Sequence, residues 1–294
     1  LFAPWTQQHA EDVRRYLEAL PPGALDASDW ALLVEYLVRR YLPLEELAGE
    51  AEWLVTKAVA TGVLRAHSAQ APEAAAVAAV LPMLPSVVDE LVRSWRLSDA
   101  AQQVLRYARE QAAGAVVGLT EAARAGIRQE VLQHMRARVL GEPLTWQSLQ
   151  ARLFERFDAL NRDWRRIAVT EATEAAGQGV IAALPPGALV RRIEMYHGAC
   201  EWCRRLDGKV MRVVSPDKED KDGWSEVWPG KTNVGRSRSP HKRVGDALVP
   251  RSPDELWWPA AGAQHPHCRG RWEPVKVPQS KPAPAVAEVL QKLN

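Results

Sequence analysis

Two short cysteine-bearing segments, Cys200-Glu201-Trp202-Cys203 and His265-Pro266-His267-Cys268, constrain this chain more than any other feature. Each places two soft or borderline donors three positions apart, a spacing that lets one tight turn aim both side chains at a single ion. Brought together, they supply the Cys3His set that zinc takes in closed tetrahedral structural sites, with no position left for a substrate water. Cys200, Cys203 and Cys268 account for all 3 cysteines of the 294 residues. No disulfide framework is therefore available, and assembly in a reducing compartment such as a bacterial cytoplasm is expected. His265 is the better-placed fourth ligand, because His-x-x-Cys repeats the Cys-x-x-Cys spacing and Pro266 stiffens the turn. His267, adjacent to Cys268, is its competitor. The bland alternative is three buried free cysteines, which are common in cores, with surface histidines; the matched spacings weigh against it.

The expected fold class is α+β, a predominantly helical N-terminal body followed by a small β-rich, zinc-stapled C-terminal domain. Length favours several domains, and the chain divides into a helical region at 1–97, a second at 98–187, a β-rich metal-binding module at 188–273, and a Pro-rich linker and tail at 274–294. Thr6 can cap a helix that stops at Pro21-Pro22-Gly23, and Trp30, Leu33, Val34, Leu37, Val38 and Tyr41 recur at helical spacing. Pro43 suits the first turn of a helix through Leu47, Leu54, Val55 and Val59. The stretch Ala74 to Arg93 reads as two short helices around Pro82 and Pro85. Separate helices are expected from Ser98 to about Gly118, from Thr120 to Gly141, from Thr145 through Phe157, and from about Asn161 to Leu184. Alternation then predicts strands over Leu189–His197 and Lys209–Val214, the second entered through a turn at Asp207-Gly208. Residues 215–256 look irregular, and are either held by the metal and its tryptophans or mobile.

Charge is unevenly spread. Residues 191–294 carry 19 basic against 13 acidic side chains, a net +6, whereas residues 1–190 carry 19 against 23, a net −4. Lys231, Arg236, Arg238, Lys242 and Arg243 form a basic run; touching DNA, it would bind phosphates without sequence preference, a solvated loop being the plainer reading. Trp202, Trp224, Trp228, Trp257, Trp258 and Trp272 read as the small core of the C-terminal module; Trp257-Trp258 as an exposed partner anchor is the sharper alternative. No apolar run reaches the roughly 18 residues of a membrane span, so no membrane partner is expected. The chain opens on Leu1 rather than methionine, so its natural start is expected to lie elsewhere.

Three blocks, in order, resemble the phage Mu F-like head morphogenesis family. They are Arg166-Ile167-Ala168-Val169-Thr170-Glu171 with Gly177 and Gly179; Cys200-Glu201-Trp202-Cys203-Arg204-Arg205-Leu206-Asp207-Gly208-Lys209-Val210; and His265-Pro266-His267-Cys268-Arg269. The resemblance spans roughly Gly118 to Trp272. Many members have arginine where Val169 stands and a further cysteine where Gly270 stands. The resemblance implies a minor capsid protein of a tailed phage, present in few copies, associated with the portal protein and other head proteins, and acting in head assembly or genome delivery. The expected location is the virion, at the capsid interior or portal vertex, with assembly in the host cytoplasm. Contact with genomic DNA without sequence preference would be compatible with that role.

Catalysis is not expected. Thr170 and Glu171 could suggest a helix-borne base, but no nucleophile or open metal accompanies them, and a hydrogen bond orienting the helix is the simpler role. The rival class is a metal-stapled nuclease or toxin-like enzyme acting on nucleic acid, which would recruit Asn233 and His241 from the irregular segment.

Overall fold

A computed structural model describes residues 44–68, 99–140 and 146–277, together with positions 11, 15, 35 and 36. The helices expected before residue 43 and between Ala74 and Arg93, and the tail after residue 277, lie outside the described residues. The protein mixes helix and sheet, with a small sheet region near the C-terminus. Among the described residues three long helices stand out: α1 (Leu44–Ser68), α2 (Asp99–Val139) and α3 (Trp146–Ala183). The rest is short: β1 (Leu189–Ile193), α4 (Glu201–Leu206), β2 (Val210–Val213), β3 (Glu226–Val227), β4 (His241–Val244), β5 (Ala247–Pro250) and β6 (Arg271–Lys276).

The expected breaks inside the long helices do not occur. Thr120 does not cap a new helix; its hydroxyl donates to the carbonyl of Val116, 2.9 Å away, and the backbone runs on. That bond one turn back is the other option open to a threonine in a helical stretch. Likewise Asp158-Ala159-Leu160-Asn161 contains neither glycine nor proline, so nothing halts α3 between its two expected halves.

The chain divides into two compact units, one made of residues 1–52 and 112–167, the other of residues 53–111 and 168–294. In the first, Val116, Leu119, Ile127, Val131, Leu149, Leu153 and Trp164 are buried at helical spacing. Its buried carboxylate, Glu130, is paired with Arg156 at 2.7 Å and Arg152 at 3.3 Å.

In the second unit a four-stranded sheet runs in the order β3-β2-β1-β6; β1 is antiparallel to both neighbours and β3 is parallel to β2. Val190, Met211, Val213 and Trp272 from the sheet pack with Val180 and Ile181 of α3, Leu184 just beyond it and Ala66 of α1. The two helices approach backbone to backbone. A Cβ at Gly62 would overlap the Ala176 carbonyl, and one at Gly179 would lie 2.6 Å from that of Val59. Pro274, expected to open a linker, is instead a residue of β6, opposite Val190 at a register irregularity. An edge strand at a bulge is where proline is tolerated, because its missing N–H breaks no regular ladder bond.

Residues 215–256 belong to the second unit. β4 and β5 form a hairpin whose side chains are mostly exposed. The remainder is fixed by side chains that bond to backbone. Lys231, 1% exposed, donates to the carbonyls of Gly223 (2.6 Å) and Glu226 (2.8 Å) and lies against the rings of Trp228 and Trp258. Asn233 donates to the carbonyls of Trp258 and Gln264 and accepts from the Trp258 N–H. Gln178 of α3 accepts from Gly230 N–H and donates to the Lys231 carbonyl.

Candidate metal centre

The first ligand segment sits at the tip of the β1–β2 hairpin. Beyond Ile193 the two strands part, and the short helix α4 fills the gap, with Cys200 as its N-terminal flanking residue. Arg204 N–H donates to the Cys200 carbonyl (2.9 Å), which puts Cys203 on the same face one turn later. The Glu194 N–H donates to the Asp207 carboxylate at 2.7 Å, tying the end of α4 back to β1. Gly208, at φ 76°, provides the left-handed step by which the chain re-enters β2.

The second segment is a tight turn. Cys268 N–H donates to the His265 carbonyl (3.1 Å), with Pro266 and His267 between them. His267 has φ 65°, the positive value that a type II turn requires at its third position. Its N–H donates to the Thr170 hydroxyl of α3 at 3.0 Å. The two histidines therefore divide their work: His267 is an exposed turn residue, and His265 points inward. His265 Nε2 lies 3.2 Å from Cys200 Sγ and 3.1 Å from Cys203 Sγ. Its Nδ1 meets the Pro266 carbonyl at 2.7 Å, which requires the proton on Nδ1 and leaves the Nε2 lone pair facing the sulfurs. Trp257 stacks on the imidazole, centroids 5.7 Å apart and planes 14° from parallel.

Among the described residues, potential donors form two groups that share Cys203: Cys200, Cys203 and His265, and Glu194, Cys203 and Cys268, with the donor atoms of each group within 4.8 Å of one another. The five side chains thus cluster in a way compatible with a metal site, and all three cysteines are free thiols. The hydrogen bond from Cys203, helped by the nearby Arg192 guanidinium, holds Cys268 well below the ordinary thiol range. Cys203, whose proton is engaged on Cys268 and which is withdrawn from water, is pushed up. Burial likewise raises Glu194, with Arg192 opposing it.

Arg192 and Glu194 were not anticipated. Both are fully enclosed, at 0% and 1% exposure, and pair at 2.6 Å. Arg192 also donates to the Gly262 carbonyl (3.1 Å) and to Cys268 Sγ (3.5 Å). The signal was present in the alternation of β1: Val190 faces inward, and so do the next two residues in phase, both charged. An inward charge on a strand demands a partner. The loop bearing His265 and Cys268 is also seated at each end on a carboxylate. A Cβ at Gly262 would overlap Glu174, and one at Gly270 would overlap Glu194. The Glu174 carboxylate accepts from Ala263 N–H (2.7 Å) and Gln178 (2.8 Å), and burial pushes its pKa up to about 7.

The remaining candidate residues are dispersed. Arg236 covers the Trp258 ring at 3.5 Å and donates to the Leu256 carbonyl; Arg238 pairs with Glu201 and Lys242 with Glu255. Arg243 is exposed on the β4–β5 hairpin with His241, while Asn233 is consumed by its backbone bonds. Glu171 is half-buried on α3, its pKa raised by burial. The tryptophans are partly core: Trp272 and Trp228 are buried, whereas Trp224 is exposed. Trp257 and Trp258 do not form a paired anchor. The first turns to His265 and Trp202, and the second to Trp228 and Lys231.

Searched against family models, curated proteins and solved structures, the chain matches none.

Proposed function

We propose that this chain is a minor capsid, head morphogenesis protein of a tailed phage, associated with the portal vertex and built around a structural zinc ion. The observation that carries the reading is that the three blocks bearing the resemblance converge on the Cys/His cluster. Thr170 of the first holds the backbone of the third, and Cys200 and Cys203 of the second face His265 of the third. The role is one of assembly, without catalysis, performed with portal and other head proteins in the virion.

Zinc suits the donors. Thiolate and imidazole ligands favour it over hard cations, and in a tetrahedral site nitrogen and sulfur stand about 3.6 Å apart given the usual bond lengths. The S···N separations of 3.2 and 3.1 Å are slightly tighter, as expected of donors touching directly. Cys200, Cys203, His265 and Cys268 would hold the ion, which would bind the β1–β2 tip to the loop before β6. Contact of Arg238, Lys242 and Arg243 with packaged DNA is a subsidiary part of the proposal. It predicts an affinity that falls steeply with salt.

Quantitative mass spectrometry of purified, nuclease-treated virions and of proheads tests the role. A few copies per particle at a fixed ratio to portal is the expected result. Absence from both particles would overturn it, and magnesium-dependent cleavage of plasmid DNA by the purified protein would point to a nuclease instead.

A further inference from the structure

Glu194 is a second acidic donor beside the proposed zinc site. Its oxygens fall in the same donor group as Cys203 and Cys268, and both lie 3.9 Å from Cys268 Sγ. A carboxylate at that distance competes with a thiolate for a zinc ion, since both are ordinary zinc ligands. One residue stands between the two outcomes. Arg192 grips Glu194 through Nε at 2.6 Å and touches Cys268 Sγ through Nη2 at 3.5 Å. Its Nη1 is anchored on the Gly262 carbonyl, and its plane lies over Trp272, centroid distance 5.2 Å, so the fork cannot swing away.

We propose that Arg192 is a ligand-selecting residue: by occupying Glu194 it removes the carboxylate from the donor set, and by orienting Cys268 it makes that sulfur the fourth ligand. This rests on the zinc reading above and extends it to which atoms hold the ion. The arrangement explains two further features. Gly270 lacks the side-chain atom that would displace the Glu194 carboxylate from Arg192. The Asp207 bond to Glu194 N–H fixes the backbone from which that carboxylate projects. Arg192 is a positioning residue, because it acts through its two neighbours and touches no ion itself.

The test replaces zinc with cobalt(II) in the full-length protein and reads the near-ultraviolet sulfur-to-cobalt charge-transfer band, whose intensity per ion follows the number of bound thiolates. The unaltered protein should give a three-thiolate band. Arg192→Met frees Glu194, so the band should fall to a two-thiolate level, and zinc affinity by chelator competition should drop about 10- to 100-fold, as for other losses of an outer partner. Arg192→Met combined with Glu194→Gln removes the competitor and should restore the three-thiolate band. Should Arg192→Met fail to fold, Arg192→Lys serves, because an ammonium cannot grip both neighbours in a fixed fork. Leu248→Ala, an exposed position on the β4–β5 hairpin, should leave the band unchanged. A three-thiolate band in Arg192→Met or Arg192→Lys would overturn ligand selection while leaving the zinc site standing. An unaltered protein that binds no cobalt or zinc would instead overturn the zinc site itself.

Discussion

The helical unit and the unit that carries the candidate metal site solve the same problem with different chemistry. In residues 112–167 the core is Val116, Leu119, Ile127, Val131, Leu149 and Leu153, apolar side chains at helical intervals with one buried acid, Glu130, attended by two arginines. In residues 168–277 the buried set includes Gln178, Arg192, Glu194, Lys231, Asn233 and Gln264, each satisfied by named partners. Burial of apolar area is forgiving, because packing tolerates substitutions of similar volume. A buried polar network is not, since removing one member strands the others. The helical unit should therefore lose stability gradually under mutation, and the metal unit should fail at single positions.

Stripping the metal is the strongest way to break the comparison. Structural zinc contributes on the order of 10 kcal/mol in small domains. A tight zinc chelator should thus abolish the cooperative melting of residues 168–277, followed by tryptophan fluorescence, while most of the helical circular dichroism persists. Loss of both signals together would show that the two units do not differ in this respect.

Next in size is Lys231→Met, which leaves the Gly223 and Glu226 carbonyls without their donor. A cost of about 2–4 kcal/mol in urea unfolding is expected for two stranded, partly buried acceptors and the lost packing on Trp228 and Trp258. In the helical unit Glu130→Gln should cost less, about 1–2 kcal/mol, because the amide oxygen can still accept from the arginines and Arg156 is partly exposed and regains water. An equal or larger loss at Glu130 would erase the distinction.

Acid–base linkage sharpens the contrast further. Glu174 has its pKa raised from 4.5 to about 7 by burial, so the folded state binds the proton more tightly than the unfolded one. Its contribution is greatest below pH 4.5 and is lost as pH rises to about 7, at most about 3 kcal/mol by linkage. Comparing unfolding free energies of the unaltered protein and Glu174→Gln across pH 5–8 at fixed zinc isolates it; the downward slope should be absent in the variant. The smallest effect is reserved for Arg238→Ala, which removes an ion pair with Glu201 whose side chains are 49% and 69% exposed. A change within about 0.5 kcal/mol is expected.

The same contrast governs what could be read before the structure. Pro43 and the apolar spacing after it announced α1, and alternation announced β1 and β2, because regular elements repeat a pattern. The matched ligand spacings correctly drew Cys200, Cys203 and His265 into one cluster. Illegible were the places where one side chain has two options. Thr120 can cap a helix or bond back along it, and the sequence is the same in either case. Residues 215–256 looked irregular because Lys231 and Asn233 bond to backbone at 5 to 31 residues' distance, with no period to detect. Arg192 and Glu194 were legible in principle, as charges in the inward phase of a strand.

The order of the ligands along the chain has a consequence for how the protein is made. Cys200 and Cys203 leave the ribosome long before His265 and Cys268, and β1 precedes β6, its antiparallel neighbour, by a similar interval. Until the later segment emerges, a nascent chain carries half of the donor cluster, an unpartnered strand edge and a vacancy where Trp272 belongs. Such a chain is a natural client for chaperones. Any product cut short before residue 268 would lack both Cys268 and the closing strand β6.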